Sequence, residues 1–136
     1  MKVIFDANIW ISFVLGKRLA LLDNIIQRED VDVFVSKPLI DEINVVLSRP
    51  KFKDCITDEK LNNLQALFFV CCKMIDITQS SSYPIRDAKD LYILSMADSC
   101  NADYIITGDE DLLVIGNYNK TRIEKFSVFI EQIFKE

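Results

Sequence analysis

Acidic residues fall at positions where an α/β chain would build a site. Asp6 directly follows the short apolar run Lys2 to Phe5, and Asp109 follows Tyr104 to Ile106 through a Thr-Gly pair, with Glu110 and Asp111 beside it. Glu42 borders the apolar stripe Leu39, Ile43 and Val46 of a helical pattern, whereas Asp41 points about 100° away, toward solvent. Asp90 shares a stripe with Ile93, Leu94 and Ala97, one turn from Asp87. Each acid alone has an ordinary structural use: Asp6 and Asp109 as helix caps or turn formers, Asp87 and Asp90 as a reciprocal N-terminal cap, Glu42 as a side chain that snorkels outward. Convergence from four separate segments is harder to explain that way, because like charges gathered in a crevice repel unless a cation compensates them. Oxygen donors with neither imidazole nor a thiolate pattern select a hard cation, Mg2+ or Mn2+. Such an ion would lower the pKa of a bound water and stabilise charge on a leaving oxygen, so the chemistry indicated is hydrolysis of a phosphodiester.

Composition narrows the alternatives. The chain has no histidine, which removes Ser/His and Cys/His catalysis, imidazole bases and His-rich metal sites. Its four cysteines show no CxxC spacing; all are expected to be reduced, with Cys71, Cys72 and Cys100 behaving as small hydrophobes in apolar helical patterns. A net charge of −5 argues against tight passive binding to nucleic acid, but not against an enzyme whose acids are covered by metal cations. Neither GxGxxG nor GxxxxGK[ST] occurs, so dinucleotide and P-loop roles lack support. A phosphotransfer domain also places Asp at strand ends, but the haloacid-dehalogenase type wants a second Asp where Asn8 stands.

The elements that must position the acids alternate. Strand-like runs at residues 2–5, 31–35, 74–77, 103–107 and near 122–126 are separated by helical patterns at 8–15, 17–29, 38–48, 57–73 and 87–100, with a final amphipathic helix from about Ser127. Ser36 and Pro38 open the third helix and Pro50 ends it; Thr57 caps the fourth, whose apolar face is Leu61, Leu64, Leu67, Phe68 and Cys71. The polar stretch TQSSSYP is expected to be the loosest segment. This pattern predicts a single α/β domain over residues 1–136, with a mostly parallel sheet and helices on both faces. Ligands of such sheets bind outside the carboxyl ends of the strands, which is where Asp6 and Asp109 would lie. No apolar run approaches the roughly 20 residues needed to span a bilayer, and the N-terminus enters a strand pattern rather than a signal peptide. A cytoplasmic protein, with no membrane association, is the expectation.

In order along the chain, VIFDANIWISFVL, LIDEINVVLSRPKF and RDAKDLYILSMADSCNADYIITGDEDLL resemble the PIN-domain nucleases, in particular the PIN-family toxins of bacterial and archaeal toxin–antitoxin pairs. The resemblance covers nearly the whole chain. It implies a three-layer α/β/α, Rossmann-like domain and an endoribonuclease dependent on Mg2+ or Mn2+. It further implies an RNA substrate, an antitoxin protein as partner and a homodimer. The family's acids fall on Asp6, Glu42, Asp90 and Asp109, with Asp111 and Asp87 as additional ligands or water-holders. Asn8 and Thr107 match small polar positions that orient the acids. One departure is Leu91, where the related pattern often carries a polar or acidic residue. Lys37, Arg49, Lys51, Lys53, Arg86 and Lys89 lie in or near the segments bearing Glu42 and Asp90 and could line a phosphate track. Trp10 is expected in the core. A PIN-like module that binds RNA or protein without cutting would be expected to have lost acids, and none of the four is missing.

Overall fold

The computed structural model describes residues 1–16, 18–85 and 90–133. In chain order the elements are β1 (Lys2–Phe5), α1 (Ala7–Leu15), α2 (Leu19–Ile26), β2 (Asp32–Val35), α3 (Lys37–Leu47), α4 (Asp58–Ala66), β3 (Lys73–Met74), α5 (Leu91–Cys100), β4 (Tyr104–Ile106), α6 (Glu110–Leu113), β5 (Asn117–Tyr118), β6 (Thr121–Glu124) and α7 (Phe126–Ile133). They build one six-stranded sheet in the order β3-β2-β1-β4-β6-β5, parallel except where β5 meets β6. The α/β architecture with a mostly parallel sheet is the one expected from the sequence.

β1 is central because its composition demands it. Val3, Ile4 and Phe5 have no solvent exposure, as befits a strand in a parallel sheet covered on both faces. It pairs with β2 on one side and β4 on the other, with Phe5 opposite Ile106. From β1 the chain steps outward to β2 and β3, then returns across the sheet to β4 and β6. Right-handed crossovers therefore place α1 to α4 on one face and α5 on the other. α7 returns to the face of α1: Phe5 packs edge-on against Trp10 of α1 and Phe129 of α7, at centroid separations of 6.1 Å each. Trp10 is fully buried, as expected.

Local signals set most boundaries. Ser36 caps α3 through Leu39 N–H, and Thr57 caps α4 through Lys60 N–H. Gly16 closes α1, where a Cβ would stand 2.9 Å from the Ser12 carbonyl oxygen. Four expectations need correction. α2 ends at Ile26 rather than near residue 29. The helix expected to run from Thr57 to about Lys73 changes at Ala66 into a π-helical turn, Leu67–Cys71, and this wider turn carries Phe68 against Trp10, at a centroid separation of 5.0 Å. The strand at 74–77 shortens to Lys73–Met74 at the sheet edge. β6 stops at Glu124, because Phe126 opens α7 and turns its ring onto Phe13, 4.7 Å away.

The segment expected to be loosest is tied to α5. Thr78 N–H and Gln79 N–H donate to Ser99 Oγ, Ser81 N–H donates to Ser95 Oγ, and Ser81 Oγ meets the Tyr118 hydroxyl at 2.7 Å. Serines read as loop composition from one segment alone therefore serve as anchors. All four cysteines are free thiols. Among the described residues, no helix is long and apolar enough to cross a membrane.

Candidate metal centre

The sheet changes direction between β1 and β4, and a crevice opens at the carboxyl ends of strands at such a switch point. Both strands end in buried polar residues: Asp6 after β1 and Thr107 after β4. Asp6 is shaped by three contacts. Its N–H continues the β1–β4 pairing to Ile106 O, its Oδ1 accepts from Ala7 N–H at 2.8 Å as the N-cap of α1, and its Oδ2 accepts from the Thr107 hydroxyl at 2.7 Å. Thr107 in turn accepts the Asp109 N–H at 3.0 Å. One hydroxyl thus links the two acids across about a hundred residues of chain.

Asp109 is at once a cap and a member of an acidic group. Its Oδ1 accepts Asp111 N–H at 2.9 Å, capping the single turn of α6. The structural use and the convergence of acids therefore coexist in one residue. A carboxylate oxygen from each of Asp90, Asp109 and Asp111 lies within 4.8 Å of the others, and all three residues are half-buried. Asp111, ranked behind the four principal acids from the sequence, sits inside this tight group. Glu110 is exposed, beside it in sequence but outside it in space.

Asp6 and Glu42 belong to the same field without joining that trio. Burial, above all, pushes the Asp6 carboxyl up to about 6; the hydrogen bonds from Thr107 and Ala7 oppose this, and the charges of Glu42 and Asp109 add to it. Among the described residues no ion pair joins Asp6, Glu42 or Asp109 to a Lys or Arg. Glu42 is half-buried beside the buried Leu39 and Ile43, while Asp41 is exposed and pairs with Lys37 at 2.9 Å, matching the orientations read from helix geometry.

Asp90 has helical backbone angles at the N-cap of α5, where its side chain makes no capping hydrogen bond, and its carboxylate groups with those of Asp109 and Asp111. Asp87, Arg86 and Lys89, expected as a ligand and two RNA contacts, lie outside the described residues. Asn8 is exposed; among the described residues it makes no hydrogen bond to an acid, and its Nδ2 stands 4.0 Å from where a Cβ on Gly108 would sit. Of the remaining basic candidates, Arg49, Lys51 and Lys53 are exposed, and Lys51 lies over the Phe52 ring at 4.9 Å.

One residue escaped the sequence reading. Tyr92, in the first turn of α5, donates its hydroxyl hydrogen to Glu42 Oε2. Burial first, then the hydrogen bond to Glu42 and the charges of Glu42, Asp6 and Asp90, hold that hydroxyl well above its ordinary pKa, so it remains a donor. Its partner lies fifty residues away in the sequence, so no local pattern marked it.

Carboxylate oxygens in a half-buried cluster, with no nitrogen or sulfur donor in the group, fit a hard divalent cation. A family model described as the PIN domain matches residues 2–111, a span that contains Asp6, Glu42, Asp90, Asp109 and Asp111. The fold is similar to that of a chain in the crystal structure of VapBC2 from Rickettsia felis bound to a DNA fragment from their promoter, with a TM-score of 0.63 and 17% sequence identity over 92% of this chain and 98% of that one. Comparison with curated proteins finds no match. With the family's span covering β1 through the acids of α6, the chain belongs to the PIN domain family, whose members are generally nucleases that use divalent metals.

Proposed function

We propose that this protein is an endoribonuclease dependent on Mg2+ or Mn2+, acting in the cytoplasm as the toxin of a toxin–antitoxin pair. The observation that carries the reading is the meeting of Asp90, Asp109 and Asp111 oxygens within 4.8 Å at the β1–β4 switch point, beside a buried Asp6. In this reading Asp6, Glu42, Asp90 and Asp109 are the catalytic acids, Asp111 is a further ligand, and Asp87 remains the candidate that the resemblance implied. A divalent cation held there would supply an activated water and neutralise charge on the leaving oxygen. The chain's own contribution is positional. Thr107 fixes Asp6 and Asp109 relative to each other, the cap of α6 fixes Asp109 relative to Asp111, and burial keeps Asp6 from being dispersed by water. Lys37, Arg49, Lys51 and Lys53, exposed on the segment after β2, would steer the RNA backbone.

The antitoxin and the homodimer rest on the resemblance and on the likeness to VapBC2. A surface suited to a protein partner is present. Phe69, Val70 and Met74 are exposed at the β3 edge of the sheet, where apolar side chains normally mark an interaction site. We take residues 1–136 as one nuclease domain.

Incubation of a mixed RNA pool with purified protein in Mn2+, in EDTA, and with Asp6→Asn in place of the wild type tests the reading. Cleavage confined to wild type with Mn2+ is expected. Intact RNA under all three conditions would favour a PIN-like module that binds without cutting, and cleavage by the Asn variant equal to wild type would contradict the assignment of Asp6.

A further inference from the structure

Glu42 reaches the crevice from α3, on a different segment from the acids that follow β1 and β4. A glutamate has three side-chain torsions to fix, and the nearby charge of Asp6 repels it. Asp6 is held by Ala7 N–H and Thr107, and Asp109 by its cap on α6. Among the described residues, Glu42 has one hydrogen-bond donor, the Tyr92 hydroxyl. That hydroxyl lies half-buried, two residues after Asp90, and its electrostatic neighbours are Glu42, Asp6 and Asp90. It therefore joins α3 to the start of α5 at the point where both deliver an acid.

We propose that Tyr92 is the positioning residue of the centre: its hydroxyl holds Glu42 against the repulsion of the other carboxylates and so sets the affinity of the crevice for a divalent cation. The proposal rests on the metal-centre reading above. A hydroxyl suits the task better than a cation would. It donates a hydrogen bond without cancelling the negative charge on which ion binding depends.

The experiment is Mn2+ titration of the purified protein, read by electron paramagnetic resonance of free Mn2+, for wild type, Tyr92→Phe, Glu42→Ala and the double variant, with circular dichroism to confirm that each folds. Loss of a partner that orients a metal ligand typically weakens binding by about 10- to 100-fold, and Tyr92→Phe is expected in that range. If the hydroxyl acts through Glu42, adding Tyr92→Phe to Glu42→Ala costs nothing further, because the two changes share one interaction. Phenylalanine keeps the ring, so a purely structural role for the side chain would leave affinity unchanged. Wild-type affinity in Tyr92→Phe, within about twofold, or an undiminished loss in the Glu42→Ala background, would overturn the proposal while leaving the metal centre standing. Absence of Mn2+ binding by the wild type would overturn both.

Discussion

The acids that precede β2 and β4 and the acid that follows β1 are treated in opposite ways. At the amino ends of the strands, Asp103, just before β4, accepts from Lys2 N–H at 2.8 Å and faces Lys120 at 3.5 Å, and these partners hold its carboxyl below the usual range. Asp30, just before β2, is likewise lowered by Arg28. At the carboxyl ends, Asp6 is driven upward by burial and by its neighbours Glu42 and Asp109. Local satisfaction explains the first group completely. The burial of Asp6 is destabilising for the protein alone, and such costs are tolerated where function requires them.

That contrast can be tested by substitution, and the largest effect belongs to activity. Asp109→Asn is expected to lower Mn2+-dependent RNA cleavage by about 10²- to 10³-fold, the range seen when one group stabilising the transition state is removed; activity near wild type would remove Asp109 from the centre. The next effect is on stability and has the opposite sign. The folded protein favours protonated Asp6, so the stability this group contributes is fully present below its ordinary pKa of 3.8 and is lost as pH rises through about 6. Metal-free protein should therefore gain stability on acidification from pH 7 toward pH 4 as far as Asp6 is concerned, and Asp6→Asn should be more stable than wild type at pH 7 by up to about 3 kcal/mol. Urea unfolding in EDTA at both pH values measures this, and a destabilised Asn variant would break the comparison. At the other end, Asp103→Asn should destabilise by at most about 1 kcal/mol, since Lys120 is largely exposed and asparagine still accepts from Lys2 N–H. The smallest expected effect on folding is at the exposed cations. Lys51→Ala and Lys53→Ala should change stability by less than about 0.5 kcal/mol, yet raise the KM for RNA and flatten its salt dependence.

Much of the crevice was legible in the sequence because its members follow local rules. An acid after a buried strand is visible as apolar run then charge, which is how Asp6 and Asp109 stand out. The inward side of α3 was visible from period, which separated Glu42 from Asp41. What escaped depends on partners far along the chain. Tyr92 meets Glu42 fifty residues away, and no periodicity encodes that contact. Ser81, Ser95 and Ser99 form an anchored strap across 14 to 21 residues, although polar composition alone suggested a loose loop. β5 escaped because two residues paired antiparallel at the sheet edge give no pattern. The π turn at Leu67–Cys71 escaped because helical period cannot reveal the one-residue widening that accompanies Phe68 on Trp10.

The most direct test of the acid crevice is a crystal of the protein grown with Mn2+ and measured at the manganese absorption edge. The account predicts an anomalous peak within about 2.1–2.2 Å of carboxylate oxygens from Asp90, Asp109 and Asp111. A crevice without manganese in a crystal soaked to saturation, or manganese bound only elsewhere on the chain, would contradict it.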